Sequence, residues 1–212
     1  RADAFPVSLR TMVGGLAGHR NHLVPASGLR RIVERHIELG DLADARVPLH
    51  VVAFDVSAGT ETLLCAGPAV DAVLGACAIP GIFSPIALGE KLLIDGGVVN
   101  NTPIRHAVEL GAQRVYVLPT QEPPYAQPSP PRTALDAAIY GIGLLLGTRL
   151  EADISLYQDD VELIVLPAAN ARRVQPTEFE HSSQLAAEAY AASRRSLARA
   201  VAERRRRARV AA

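Results

Sequence analysis

Several residue types that define whole classes of protein are scarce in this sequence. Its 212 residues include no tryptophan, one methionine, two cysteines and a single lysine, Lys91. Cys65 and Cys77 have no metal-ligand spacing and no surrounding cluster of histidines or carboxylates, so we expect no metal and no organic cofactor. Both lie in apolar stretches, which predicts small buried thiols in a reducing, cytoplasmic compartment.

Long hydrophobic runs and an excess of one charge are also absent. No apolar run reaches the about 18 residues that a membrane span needs, and no signal peptide opens the chain. The formal net charge is zero, which argues against a nucleic-acid-binding protein. No Gly-x-Gly-x-x-Gly or Walker-type loop indicates nucleotide binding.

The arginines are unevenly placed, because many crowd the C-terminus: Arg194, Arg195, Arg199, Arg204, Arg205, Arg206, Arg207 and Arg209. A helix ending in such a cluster would favour an anionic membrane surface. A solvated basic tail, suited to a helix C-terminus, is the alternative interpretation.

Apolar residues make up 49 % of the chain, enough for a real core. Short apolar runs alternate with helical stripes, and the segments 92–94 and 115–118 flank a helix beginning near Pro103. Strand, helix and strand at this distance predict a βαβ unit with parallel pairing. We therefore predict an α/β fold with a mainly parallel sheet. Residues 1–212 would form a single partial domain, with an irregular lead-in over 1–26 and a basic tail over 204–212.

The segment most suggestive of chemistry ends a short buried strand. Asp95 follows Leu92-Leu93-Ile94 and precedes Gly96 and Gly97. Ligands gather at the carboxyl ends of strands in open α/β sheets, and glycines allow positive φ and close backbone approach. Asp-Gly-Gly alone is also typical of a tight turn, but the flanking residues favour a site. Asp55, another carboxylate at a strand end, is followed by ordinary turn residues and is predicted to be structural.

Three segments read Ala-Cys-Ala-Ile-Pro-Gly-Ile-Phe-Ser-Pro over 76–85, Leu-Ile-Asp-Gly-Gly-Val-Val-Asn-Asn-Thr-Pro over 93–103 and Gly-Ala-Gln-Arg-Val-Tyr-Val over 111–117. Together they resemble the patatin-like phospholipase family, especially its bacterial members. Weaker similarities occur over 48–54 and 176–179. The order of the segments and the pairing of Pro-Gly-Ile-Phe with Asp-Gly-Gly make the resemblance fairly specific.

The resemblance implies a three-layer α/β/α fold and a lipid acyl hydrolase acting on lipid or ester substrates. Members use a serine–aspartate dyad, and Asp95 matches the aspartate. As general base it would accept the serine proton and return it to the leaving alcohol. Gly96 and Gly97 would keep the approach to the serine open, and Pro80 and Phe83 of the matching Pro-Gly-Ile-Phe block would support the site.

The departures from the family pattern concern the nucleophile. None of the serines is flanked by both glycines of a Gly-x-Ser-x-Gly elbow, and the glycine-rich segment 14–18 contains no serine. Members often have Arg-Ala-Ser before Ala-Ile-Pro, whereas this chain has Gly-Ala-Cys over 75–77. The expectation is therefore a patatin-like domain truncated at its N-terminus after the nucleophile helix, with no nucleophile in this chain and no activity alone.

Two alternatives from other classes stay open at this point. An α/β-hydrolase remnant would pair Asp95 as the triad acid with His181 as the base, since that order is Ser, Asp, His. A non-catalytic scaffold or lipid-surface module would use the Arg-rich last helix to make a peripheral contact with an anionic membrane. Loss of activity in His181→Ala would favour the first, and salt-sensitive binding to anionic vesicles would favour the second.

Overall fold

The computed structural model describes residues 21–119, 131, 134–168 and 179–210. The chain divides into two compact units, Arg1–Asn101 and Thr102–Ala212. The elements of the first are β1 (His22–Val24), α1 (Ser27–His36), a 3-10 helix (Leu42–Asp44), β2 (Val51–Asp55), β3 (Thr60–Leu64), α2 (Ala69–Ala76), β4 (Gly81–Phe83), β5 (Ile86–Leu88), β6 (Lys91–Asp95) and α3 (Gly97–Asn100). Those of the second are α4 (Ile104–Glu109), β7 (Arg114–Val117), α5 (Ala134–Tyr157), β8 (Glu162–Val165), a 3-10 helix (Phe179–His181) and α6 (Ser182–Val210).

A four-stranded antiparallel sheet organises the first unit, with the strand order β3-β2-β6-β5. Two tight hairpins build its sides. Gly59, with φ of 68°, lies in the β2–β3 turn, and Gly89, with φ of 59°, lies in the β5–β6 turn. Leu88 pairs with Lys91 across a two-residue loop, a connection in which glycine at the first position matches the twist of the strands. β6 is consequently an inner strand.

Helix α2 covers one face of this sheet. Leu93 of β6 is fully buried and packs in one core with these residues: Leu42, Ala53, Leu64, Ala69 and Ala72. A Cβ at Gly75 would lie 2.9 Å from the Cβ of Leu93, so the helix approaches the strand closely because Gly75 has no side chain. Burial of this apolar face holds α2 against β6.

A second core lies between α1, α2 and the parallel pair β1–β4. Its buried members are Val24, Val33, Leu74, Ala78, Phe83 and Ile86. The guanidinium of Arg30 also donates to the carboxylate of Asp71 at 2.6 Å, which links α1 to α2 at the surface. The two cores share α2, so this helix fixes both sheets of the first unit.

In the second unit, β7 and β8 form a parallel pair, with α5 as the intervening helix. Ile104, Val117 and Leu150 are its buried core residues. At the start of the ladder, Arg114 is paired in register with Glu162, and its Nε donates to the carboxylate at 2.6 Å. This β7–α5–β8 segment is a βαβ unit.

The mixed α/β class is confirmed, but the prediction of a mainly parallel sheet is wrong for the sheet that holds Asp95. Both neighbours of β6 are antiparallel, and β7 pairs in parallel with β8. The sequence pattern misled because an apolar strand flanked by helices is typical of parallel sheets, whereas the Gly89 turn fixes β6 in a hairpin.

Two other expectations change. The lead-in expected over 1–26 contains strand β1, which pairs with β4; residues 1–20 lie outside the described residues. The helix continues through the basic segment as far as Val210. In α5, Gly141 and Gly143 have open space where a Cβ would stand. Within the described ranges, no helix is both long and apolar enough to cross a membrane.

Candidate active site

Asp95 is the last residue of β6 and is held by its backbone on two sides. It pairs with Ala53 of β2, and its N–H donates to the carbonyl of Ala78, just beyond α2, at 3.0 Å. Because side chains alternate along a strand, the side chain of Asp95 projects from the same face of the sheet as Leu93, toward α2. The carboxylate is therefore placed by both a strand end and a helix end.

The two oxygens of the Asp95 carboxylate differ in their surroundings. Oδ1 accepts a hydrogen bond from the backbone N–H of Gly97 at 2.7 Å. Among the described residues, none donates to Oδ2 and no cation is paired with Asp95. One oxygen is thus fixed in direction while the other keeps its lone pairs for an incoming donor.

Burial tunes the basicity of this group. The side chain is half-buried, and desolvation raises the pKa of Asp95 above its ordinary value, while the hydrogen bond from Gly97 opposes the rise. Cys77, the residue after α2, has its pKa raised by burial and, to a smaller extent, by the negative charge of Asp95. A neutral thiol therefore accompanies the carboxylate.

The glycines after Asp95 are explained by close approach. Gly96 has φ of −67° and ψ of −19°, a conformation open to any residue, so positive φ is not the reason for glycine there. A Cβ at Gly96 would lie 2.5 Å from the carbonyl oxygen of Val52. At Gly97 it would lie 3.0 Å from the Oδ1 atoms of both Asp95 and Asn101. Gly96 lets the turn approach β2, and Gly97 leaves room for two polar side chains.

Pro80 and Phe83 belong to the scaffold near the site. Ile82 donates its N–H to the carbonyl of Ile79, and Gly81 has φ of 79°, so Pro80 occupies the second position of a type II turn. Phe83 is 5 % exposed and packs in the core shared with α2. Both residues shape the connection between α2 and β5, and their support of the site stays a prediction.

The rival carboxylate, Asp55, is a buried turn residue. Its Oδ1 accepts from the backbone N–H groups of Ser57 at 3.0 Å and Leu92 at 3.2 Å, and its Oδ2 lies 4.0 Å from Nζ of Lys91. Asp55 is 4 % exposed and links the β2–β3 turn to the start of β6. These contacts occupy its oxygens with structural hydrogen bonds.

The remaining predicted residues are His181 and the two cysteines. His181 ends the 3-10 helix that leads into α6. The prediction of buried thiols is wrong for Cys65, which is exposed because it follows the end of the edge strand β3; Cys77 is half-buried. In the part of the chain that the structure describes, no group of three or more potential metal ligands occurs.

Comparison with known proteins finds a family match. The family model of the patatin-like phospholipases matches residues 7–108, which include Asp95, both following glycines, Pro80 and Phe83. This region of the chain is therefore similar to the patatin-like phospholipase family. The matching segment over 111–117 and the weaker similarity over 176–179 lie beyond the region covered by this family model.

Curated relatives agree with this assignment. Uncharacterized NTE family proteins of Mycobacterium bovis and of two Mycobacterium tuberculosis strains, CDC 1551 and H37Rv, are each 30 % identical to this chain over 100 residues. The alignment covers 44 % of this chain and 17 % of each relative. The chain thus matches a small part of these longer proteins.

The structure adds one buried polar contact after Asp95 that the sequence did not reveal. Asn100, the last residue of α3, is 4 % exposed, and its Nδ2 donates to Oε1 of Glu61 on β3 at 2.7 Å. The signal in the sequence was the polar pair Asn100-Asn101 after two valines. In so short a turn, one of the two amide side chains faces inward and is buried. Its partner could not be found locally, since it lies on a different strand.

Proposed function

We propose that this patatin-like chain carries the general base of a serine-type lipid acyl hydrolase, and that the base is Asp95. The observation that carries the proposal is the carboxylate at the end of β6, within the family match, with Oδ1 held by Gly97 and no described donor on Oδ2. This arrangement suits a group that takes a proton from a hydroxyl without the help of a histidine.

The chemistry would proceed in two acyl-transfer steps. Oδ2 of Asp95 accepts the serine proton as the serine oxygen attacks the ester carbonyl, and the proton then passes to the departing alcohol. Water, deprotonated by the same carboxylate, then attacks the acyl-serine; the acyl–oxygen bond breaks, the fatty acid is released, and the proton returns from Asp95 to the serine oxygen. Burial makes Asp95 more basic than an ordinary carboxylate, because it raises the pKa.

The nucleophile in this proposal comes from residues outside the 212. No serine of the chain lies in a Gly-x-Ser-x-Gly elbow, so we expect the chain alone to be inactive. The substrate class is a lipid or ester, following the family; the acyl chain and head group are left open.

A peripheral membrane contact is the second part of the proposal. Helix α6 contains eight arginines and two glutamates in a chain of zero net charge. Tyr190 is 65 % exposed, and the guanidinium of Arg194 lies 5.8 Å from the centre of its ring. An exposed aromatic beside a cation, on a basic helix, fits the interface of an anionic bilayer. The protein would be cytoplasmic.

The dyad is tested by ester hydrolysis. The purified chain should not hydrolyse p-nitrophenyl butyrate above the buffer rate. The product of the gene that encodes these residues, if it contains the elbow serine, should lose roughly 100- to 10,000-fold in kcat on Asp95→Asn. Asp44→Asn, a change at an exposed aspartate, is the matched control and should keep full activity.

Three outcomes would contradict the dyad. They are hydrolysis by the 212-residue chain that Asp95→Asn abolishes, full activity of the longer protein carrying Asp95→Asn, and loss of its activity on His181→Ala. The last would favour a triad. For the membrane contact, flotation with anionic vesicles should weaken with salt, and equal flotation with neutral vesicles would argue against it.

A further inference from the structure

The turn that follows Asp95 is too short to hold its own geometry. Helix α3 is a single turn, Gly97–Asn100, without a side-chain cap at its N-terminus. Its internal bonds run from the N–H groups of Val99 and Asn100 to the carbonyl of Gly96, at 3.0 and 2.8 Å. One turn fixes many dihedral angles for few hydrogen bonds and is unstable alone. Contacts with the rest of the first unit must therefore hold it.

Two such contacts bracket the turn. At its start, Gly96 lies against the backbone of Val52, where there is no room even for a methyl group. At its end, the buried side chain of Asn100 donates to Glu61 at 2.7 Å. Glu61 is anchored in β3, where it pairs opposite Phe54 of β2. The hydrogen bond thus ties the far end of α3 to the hairpin that also forms the sheet around Asp95.

The direction of the Gly97 N–H depends on where this turn lies. That N–H donates to Oδ1 of Asp95 at 2.7 Å, and among the described residues Gly97 is the donor to this carboxylate. If α3 tilts, the N–H moves with it, whereas the Asp95 backbone stays bonded to Ala78. The side chain of Asp95 would then lose the hydrogen bond that fixes the direction of Oδ1.

We propose that Glu61 and Asn100 are positioning residues for Asp95, acting through the turn α3 and the N–H of Gly97. The catalytic meaning of this inference rests on the proposed function, but the positioning itself does not. Neither residue touches the carboxylate. Their hydrogen bond holds the turn so that Oδ1 of Asp95 accepts from the N–H of Gly97 and Oδ2 stays open to an incoming donor.

A charge effect of Glu61 can be separated from its hydrogen bond. Glu61→Gln removes the negative charge but keeps an oxygen that can accept from Asn100, whereas Glu61→Ala removes both. Both variants lack the charge, so the difference between them reports the loss of the side chain that accepts from Asn100. The thiol of Cys77 after α2, whose pKa is raised partly by the charge of Asp95, is unchanged in both variants.

The experiment is amide hydrogen exchange by NMR on the 212-residue chain and its variants. Glu61→Ala should accelerate exchange of the Gly97 amide relative to Glu61→Gln, while the Asp95 amide, bonded to Ala78, exchanges at the same rate in both. Asn100→Ala should repeat the acceleration against the unmodified chain. Because Glu61 lies on an edge strand, its variants should fold even if Asn100→Ala does not.

A carboxyl titration of the same samples gives a second measurement. Weaker donation from Gly97 removes a stabiliser of the ionised form, so the pKa of Asp95 should be higher in Glu61→Ala than in Glu61→Gln. The inference is overturned if the Gly97 amide exchanges equally in the two variants, or if Gly97 and Asp95 accelerate together. Neither measurement needs a nucleophile, so a failed dyad and a failed positioning role are distinguishable.

Discussion

Replacing Gly96 by alanine should destabilise the first unit through one steric contact. The backbone at Gly96 is helical, so alanine can adopt it, and the smaller freedom of the unfolded chain would by itself favour alanine by about 0.4–1 kcal/mol. The added Cβ, however, would lie 2.5 Å from the oxygen and 2.6 Å from the carbon of the Val52 carbonyl. These are backbone atoms of β2, an inner strand that cannot move without disturbing its pairing with β3 and β6.

The magnitude follows from the cost of overpacking. Inserting a methyl group into a packed site costs about 1–3 kcal/mol and occasionally more, and a clash with backbone belongs at the upper end. After the gain from the unfolded state is subtracted, we expect a net loss of about 2 kcal/mol. That corresponds to a fall in Tm of roughly 4–8 °C for a chain of this size.

The measurement is urea unfolding followed by far-ultraviolet circular dichroism. With a slope of about 1–3 kcal/mol per molar urea, the midpoint should fall by roughly 1 M. Gly141→Ala is the matched control, because Gly141 lies inside α5 with nothing within 4 Å of the added Cβ. It should stabilise its helix by about 0.5–1 kcal/mol. Equal midpoints for Gly96→Ala and the unmodified chain would refute the steric argument.

Three further changes test the fold and the site. Gly81→Ala meets no atom within 4 Å but keeps φ of 79°, so it should cost about 1–2 kcal/mol by backbone strain, and no change in the urea midpoint would contradict that. Leu93→Ala should cost about 2–5 kcal/mol because the side chain is fully buried, whereas Leu145→Ala, at a residue 71 % exposed, should change the midpoint by less than about 0.5 kcal/mol. Burial disfavours ionised Asp95, so the unmodified chain should lose stability as pH rises from 3.8 through the raised pKa. Asp95→Asn should therefore be the more stable protein at neutral pH and lose that advantage in acid, and an advantage that persists in acid would count against the burial argument.

Some features of the site are set by neighbouring residues, and others by residues far apart in the chain. The apolar run before Asp95 and the two glycines after it sufficed to predict a strand end with a carboxylate, because alternation and turn chemistry act between neighbours in the chain. Asp55 was assigned to turn chemistry for the same reason, and the hydrogen bond that it accepts from the N–H of Ser57 agrees, whereas the one from Leu92 on β6 is a tertiary contact. The role of Asp95 as a base stays a prediction that these contacts support.

The reason for Gly96 could not be predicted correctly. The sequence indicated either positive φ or close approach, and only the position of Val52 decides between them. The partner of Asn100 was equally hidden, since nothing near it in the chain indicates that Glu61 is brought to it by the β2–β3 hairpin.

The amino-acid order by itself determined the main helices and strands, the strand end at Asp95 and the family resemblance, since each depends on short patterns of apolar, glycine and proline residues. Tertiary structure alone decided that β6 lies between antiparallel neighbours, that Gly96 meets β2 and that Asp95 shares its surroundings with Cys77. The physical reason is that strand partners and desolvation are set by backbone hydrogen bonds and packing between segments far apart in sequence, and a local pattern fits several such partners equally well.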